Sequence, residues 1–406
     1  MSYYTETINY STRYKSRSKK SILIPVKKTT GIIFSVIKPA FSILSFALLL
    51  VIIPPTFASS YPVTPGNEAW RQLEQAETAF ENGDLSKALV LAENARKIRR
   101  ITSEWSENKL IAAYKPIIVQ NQGTDLAVLR KIFLERENKN AIEIIDYSLT
   151  LHSAQYYDSN IKNVIDFWHD SANYPEADVI TAAVYRQEGE YDLSRQYLEN
   201  AWKYRDILDI PEQKYDILYD LAETAFSLNN NDLYEKSLLL ILADDKDFSG
   251  MDQNKNRLSN GFVRSIKKGM SSDKLFLLYR HDSHFSLSAL FKLADYYQSV
   301  NQNDKALECS AFGCLTAATA MNNTLKEYKD TYTFSTLENL FQEVSSVDEI
   351  CEWMEKYAIW NSFYNFAMLI DTTTKNKELG KNILQALAKQ SQNKIVKKKS
   401  LVQLTY

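Results

Sequence analysis

The chain has 406 residues, 45% of them hydrophobic and 24% charged, with 48 Lys and Arg against 50 Asp and Glu. This composition excludes a disordered or collagen-like chain, and the charge balance excludes a surface built as a whole for nucleic acid. Only 10 glycines and 9 prolines occur, where average usage is roughly 7% and 5%. That is too few for the turn-rich backbone of a Rossmann fold, a β-sandwich or a barrel, and the expectation is an all-α protein.

The first sixty residues stand apart. Arg13, Lys15, Arg17, Lys19, Lys20, Lys27, Lys28 and Lys38 face Glu6 alone, a net +7 that leaves −9 for the remainder of the chain. Residues 39–58 carry no charge, and Phe41 to Ile53 form an apolar run that ends at Pro54 and Pro55. Basic stretch, apolar stretch and then Thr56-Phe57-Ala58 before Ser59 follow the order of a secretory signal cut between Ala58 and Ser59. The run alone is short of the ~20 residues that span a bilayer. Extended over residues 31–53 it reaches that length but includes Lys38, which costs roughly 2.5–3.5 kcal/mol unless the side chain snorkels. A cleaved signal and a retained inner-membrane anchor therefore both stand. Either way the positive-inside rule places residues 59–406 outside the cytoplasm, in the periplasm or cell envelope.

Beyond residue 60 the apolar residues recur at helical spacing. Small residues recur too. Ala76, Ala88 and Ala95 flank Gly83, and Ala182, Ser194 and Ala201 flank Gly189 at the same spacing. Ala222-Glu-Thr-Ala225-Phe226 echoes Ala76-Glu-Thr-Ala79-Phe80 ahead of a turn without glycine that reads as longer, and a fourth copy has Ala294, Tyr297, Asn301 and Ala306. This pattern resembles the tetratricopeptide repeat, in which small residues let helix A lie close against helix B and the glycine makes the turn between them. The resemblance implies a right-handed α-solenoid of antiparallel helix pairs, stacked so that neighbours bury a continuous core.

Further helices are expected over 104–117, 124–137, 139–153, 158–171, 257–282, 334–345, 347–358, 360–371 and 376–390. The chain then divides into an N-terminal segment 1–58, repeats over 59–243, an irregular connector 244–284, a second helical block 285–390 and a basic tail 391–406. Lys394 and Lys397 to Lys399 make that tail read as frayed and solvated.

Chemistry-bearing motifs are sparse. The stretch from Asp245 to Asn256 has oxygen donors and Gly250 at EF-hand spacing, but Asn256 stands where a bidentate Glu is required, so it reads as a polar loop. His281 and His284 are three apart with no identifiable third ligand, and no zinc spacing involves Cys309, Cys314 or Cys351. Those cysteines read as buried thiols, with a disulfide from Cys351 to Cys309 or Cys314 left open. No phosphate-binding glycine loop, nucleophile elbow or HExxH occurs, so neither catalysis nor a cofactor is expected.

What remains is a binding face. The resemblance implies that helix A lines a groove for peptides, which maps here onto Trp70, Leu73, Glu77 and Phe80; Tyr219, Glu223 and Phe226; and Phe291, Asp295 and Gln298. These acids and aromatics do not suit an acidic peptide tail; they suit an uncharged or basic, partly apolar segment. The function implied is a scaffold for partner proteins in envelope biogenesis or in a flagellar or secretion machine. An enzyme or a carbohydrate-binding receptor on the same helices is the alternative.

Overall fold

The structure, a computed structural model, describes residues 67–119, 125–151, 160–245, 261–281, 283–374 and 377–405. The segment 31–53, Ala58, Ser59 and most of the Asp245–Asn256 loop lie outside them. Residues Pro65–Tyr406 form one compact unit.

Every regular element among the described residues is helical; the one bridge, Asp125 to Asn160, is isolated. In chain order the helices are α1 Asn67–Glu81, α2 Leu85–Val119, α3 Leu126–Glu135, α4 Lys139–Leu151 and α5 Ile161–Asp170. Next come α6 Pro175–Gln187, α7 Tyr191–Lys203, α8 Gln213–Ser227 and α9 Asn231–Asp244. After a helical segment at 261–267 follow α10 Ser272–Leu278, α11 His284–Ser299, α12 Asn303–Tyr328 and α13 Leu337–Val344. The last are α14 Asp348–Lys356, α15 Ile359–Thr373, α16 Glu378–Gln390 and α17 Lys394–Gln403.

One turn recurs. The pairs α1/α2, α3/α4, α6/α7, α8/α9 and α11/α12 are each joined through three residues, the middle one left-handed. These are Gly83, Glu137, Gly189, Asn229 and Asn301, with φ of 77°, 55°, 83°, 54° and 60°. In each, the left-handed residue donates its N–H to the carbonyl three residues back, and the next residue donates to the carbonyl five back. For the third hairpin these bonds are Asn229 N to Phe226 O and Asn230 N to Ala225 O. That hairpin's turn is therefore no longer than the others. Asparagine simply stands where glycine does, because its short polar side chain tolerates the left-handed region.

Counted from the turn, the small positions are core. Ala76, Ala88 and Ala95 are fully buried, as are Ala182, Ser194 and Ala201 to within 1%; Ala222, Ala294 and Ala306 are buried alike. The equivalent of Ala95 in the fourth hairpin is Gly313, against which the Phe291 ring packs. The second helix of one pair lies against the first of the next for α7 on α8 and α9 on α11; further along, α12 packs on α15 and α15 on α16. A single apolar cluster runs from Ala182 to Val396.

Three expectations are corrected. The helices read around 85–95 and 104–117 are one 35-residue helix, α2, because no glycine or proline interrupts it before Pro116. Its first half pairs with α1 and α6, while Leu110 and Ile117 in its second half join Leu129, Phe133, Ile145, Phe167 and Trp168 of α3–α5 in a separate core. Likewise the basic tail is not frayed. Asn393 caps α17 by accepting from the N–H groups of Ile395 and Val396, and Val396 and Ser400 are buried at i and i+4 spacing. The helix expected over 257–282 is also divided, by a left-handed turn at Gly269 ahead of α10.

Candidate functional site

The common turn sets a register for the first helix of each hairpin. Ten residues before the left-handed position stand Leu73, Val179, Tyr219 and Phe291; six before it, Glu77, Ala183, Glu223 and Asp295; three before it, Phe80, Arg186, Phe226 and Gln298.

The row at ten is a packing row. Leu73 and Phe291 are 9% exposed, and Phe291 lies on the bare backbone of Gly313, so Phe291 is core and lines no groove. Tyr219 is half-buried; its hydroxyl donates to Phe285 O at 2.6 Å and accepts from Ala289 N at 3.0 Å, tying α8 to the start of α11. Tyr219 therefore braces two hairpins. Helical spacing could not separate this row from its neighbours, because the deciding contacts come from other hairpins.

The outer rows carry charge. Arg186 donates to Asp220 Oδ1 at 3.0 Å and reaches Glu223 Oε2 at 3.5 Å; Lys292 Nζ is 3.7 Å from Glu223 Oε1. Glu223 thus lies between cations of α6 and α11. Its charge is answered within the protein, and it is not a free steering acid. On α1, half-buried Glu77 has its carboxyl pushed up to about 7 by burial, then by Glu81 and Glu74. Trp70 beside this acidic stripe is 43% exposed, whereas Phe80 packs partly against Ala79, Ala88 and Val184.

The aromatic residues converge between the hairpins α8/α9 and α11/α12. Phe226 is 71% exposed. Its ring centroid is 5.9 Å from that of Tyr234 on α9, which is 5.6 Å from Tyr296 on α11. Burial, then the carboxylates of Asp295 and Glu223, raise the Tyr234 hydroxyl above the usual phenol range; Glu235 and Asp232 act in the same sense, after burial, on Tyr296. Tyr297 donates to Glu235 Oε1 at 2.7 Å, and Asn365 of α15 approaches Asp295 Oδ1 at 3.5 Å. Gln298 is exposed beyond this strip. The result is an aromatic strip crossing two hairpins and flanked by Asp295, Asp232 and Glu235. Sequence spacing supplied Phe226, Asp295 and Gln298 but not Tyr234 and Tyr296, which lie on other helix faces and meet Phe226 only in the folded chain.

A polar concavity of about 250 Å³ lies between α2, α6 and α7, lined by Glu93, Arg96, Arg100, Asp178, Tyr197 and Asn200 among others. Arg96 bonds Glu93 at 2.7 Å and Thr181 at 2.5 Å, approaches Asp178 at 3.3 Å and covers the Tyr197 ring at 5.2 Å. Burial pushes the Asp178 carboxyl up to about 6, against the opposing pull of Asn200 and Arg96. Beneath, Arg99 is buried between Trp168 and Tyr174; burial opposes its charge, and Asp209, Tyr174, Tyr147 and Glu176 together more than offset that. Arg96 joins the first hairpin to α6 through Thr181 and Asp178, which makes this corner a structural joint.

The remaining candidates are placed elsewhere. Buried Asp245 accepts from Ser283 and from Ser286, the latter at 2.6 Å, so its carboxylate secures the start of α11. His281 is buried edge-on to Phe312, while His284 lies against Phe285 with ring centroids 3.8 Å apart, so the two rings meet different neighbours. Among the described residues no group of three His, Cys, Asp or Glu could hold a metal ion. All three cysteines are free thiols, Cys314 buried and Cys309 pushed up to about 12 by burial. No helix among the described residues is long and apolar enough to cross a membrane.

No protein-family model matches the chain. It is similar to an uncharacterized protein of Treponema pallidum (strain Nichols), at 28% identity over 305 residues, which are 75% of this chain and 81% of that relative.

Proposed function

We propose that this chain is an exported, non-catalytic scaffold of the bacterial cell envelope, built on tetratricopeptide-like hairpins stacked as a right-handed α-solenoid. It holds partner proteins through a basic, partly apolar segment, in an assembly role such as envelope biogenesis or a flagellar or secretion machine. Four features support the reading: the recurring three-residue turn, the buried small residues in a common register, the second-to-first packing of successive hairpins, and the basic and apolar N-terminal sequence. The observation that carries the partner chemistry is Phe226, 71% exposed at the end of a strip whose other rings sit beside carboxylates. A cationic side chain fits over such rings, and an aliphatic or aromatic neighbour fits against Phe226.

The test is selection from a random peptide display library with the purified protein. The expected peptides combine Lys or Arg with aromatic or aliphatic residues, and Phe226→Ala should weaken them by about tenfold or more. Acidic winners, or winners indifferent to Phe226→Ala, would reject this surface as the site.

A further inference from the structure

We propose that α17 is a membrane-surface helix that docks on anionic lipid headgroups. Val396 and Ser400 point into the core. Stepping 100° per residue from there, the outward arc holds Leu401, Lys394, Lys398, Val402 and Ile395, with Lys397 and Lys399 at its margins. Ile395 is 67% exposed, Leu401 51% and Val402 48%, so three aliphatic side chains stand in water on one short helix. Four lysines are interleaved with them, and no Asp or Glu occurs from Ser391 to the end of the chain. Lys397 donates to Lys389 O at 3.1 Å, Lys399 lies over the Tyr364 ring at 5.7 Å, and Lys394 and Lys398 project from the centre of the arc.

Interleaving decides between partners. A nucleic acid would use the lysines but leave Ile395, Leu401 and Val402 facing water or phosphate. An anionic bilayer takes both kinds of side chain at once, because lysine heads reach the phosphates while short aliphatics enter the headgroup boundary. The helix is held to the body by α16 and α15, so it is presented already folded and binding carries no cost of helix formation. This surface is separate from the Phe226 strip and does not depend on the partner reading.

The test uses the full chain reconstituted in vesicles of phosphatidylcholine alone and of phosphatidylcholine with phosphatidylglycerol, so that any N-terminal membrane attachment is common to both. Amide hydrogen exchange over 394–403 should slow about threefold or more in the anionic vesicles. Lys394→Gln combined with Lys398→Gln should remove that difference, and Ile395→Ser with Val402→Ser should reduce it with the lysines intact. Unchanged exchange over 378–390 serves as the folding control. Equal exchange in the two lipids would overturn the proposal. So would protection that survives the lysine changes, that a DNA oligonucleotide in detergent reproduces, or that grows with protein concentration without anionic lipid.

Discussion

At Gly313 a β-carbon would fall among the ring atoms of Phe291, 2.7 Å from Cδ1 and 3.1 Å from Cζ. The ring is buried, so it or the backbone must shift to admit the new atom. Gly313→Ala gains roughly 1 kcal/mol of helix propensity but should lose about 1–3 kcal/mol to overpacking, so a lower melting temperature is expected. Adding Phe291→Leu should recover part of the loss, since contacting residues do not add independently. Glu77 couples stability to pH. With its carboxyl pushed up to about 7 from an ordinary 4.5, the neutral form it favours is fully present below 4.5 and is lost as pH rises through about 7. Glu77→Gln should therefore leave stability nearly unchanged at about pH 5 and raise it at about pH 8, by about 1 kcal/mol once its partial exposure is discounted. Thermal melts at the two pH values check this; a less stable variant at the higher pH would contradict it. Neither Gly313 nor the row of Phe291 was legible in the sequence. The two residues lie on different helices, and helical periodicity carries no term for what a neighbouring hairpin presents.

The turn is the element that repeats, and its residues differ in how well they suit it. Glycine meets a positive φ without strain, asparagine with little, and a glutamate with more. Glu137, at φ 55°, is thus a local weak point, and Glu137→Gly should stabilise the protein by about 0.5–1 kcal/mol, as read by denaturant unfolding. Gly189→Ala, at φ 83° with open space around it, should destabilise by about 1 kcal/mol through the backbone alone. Equal effects of the two changes would count against a common turn. Gly83 and Gly189 announced two of these turns in the sequence and Asn301 marked a third, whereas Asn229 made its turn read as longer and Glu137 concealed its own. The same limit applied to α17, where four lysines outweighed one valine, one serine and an asparagine cap. It applied again to α2, where composition gave no reason to join two segments and none to part them.

Across the whole unit, side chains far apart in sequence tie successive hairpins together: Arg96 to Asp178, Arg186 to Glu223, Lys292 to Glu223, and Tyr219 to Phe285. These ties use up much of the polar chemistry that the first helices carry. Among the described residues carboxylates still gather at two places on these faces, the Glu74–Glu77–Glu81 stripe on α1 and the group of Asp232, Glu235 and Asp295 around Tyr234 and Tyr296. Only the second also has a large apolar side chain as open as Phe226, which is why the partner surface is proposed there. The most direct measurement is site-specific photocrosslinking in cells, with benzoylphenylalanine placed at Phe226 or, on the second helix of the same hairpin, at Leu239, which is 43% exposed. The account predicts crosslinks from position 226 to an envelope protein, through a Lys- or Arg-bearing segment, and none to that protein from position 239. Crosslinks from 239 with none from 226, or crosslinks from 226 confined to cytoplasmic proteins, would contradict it.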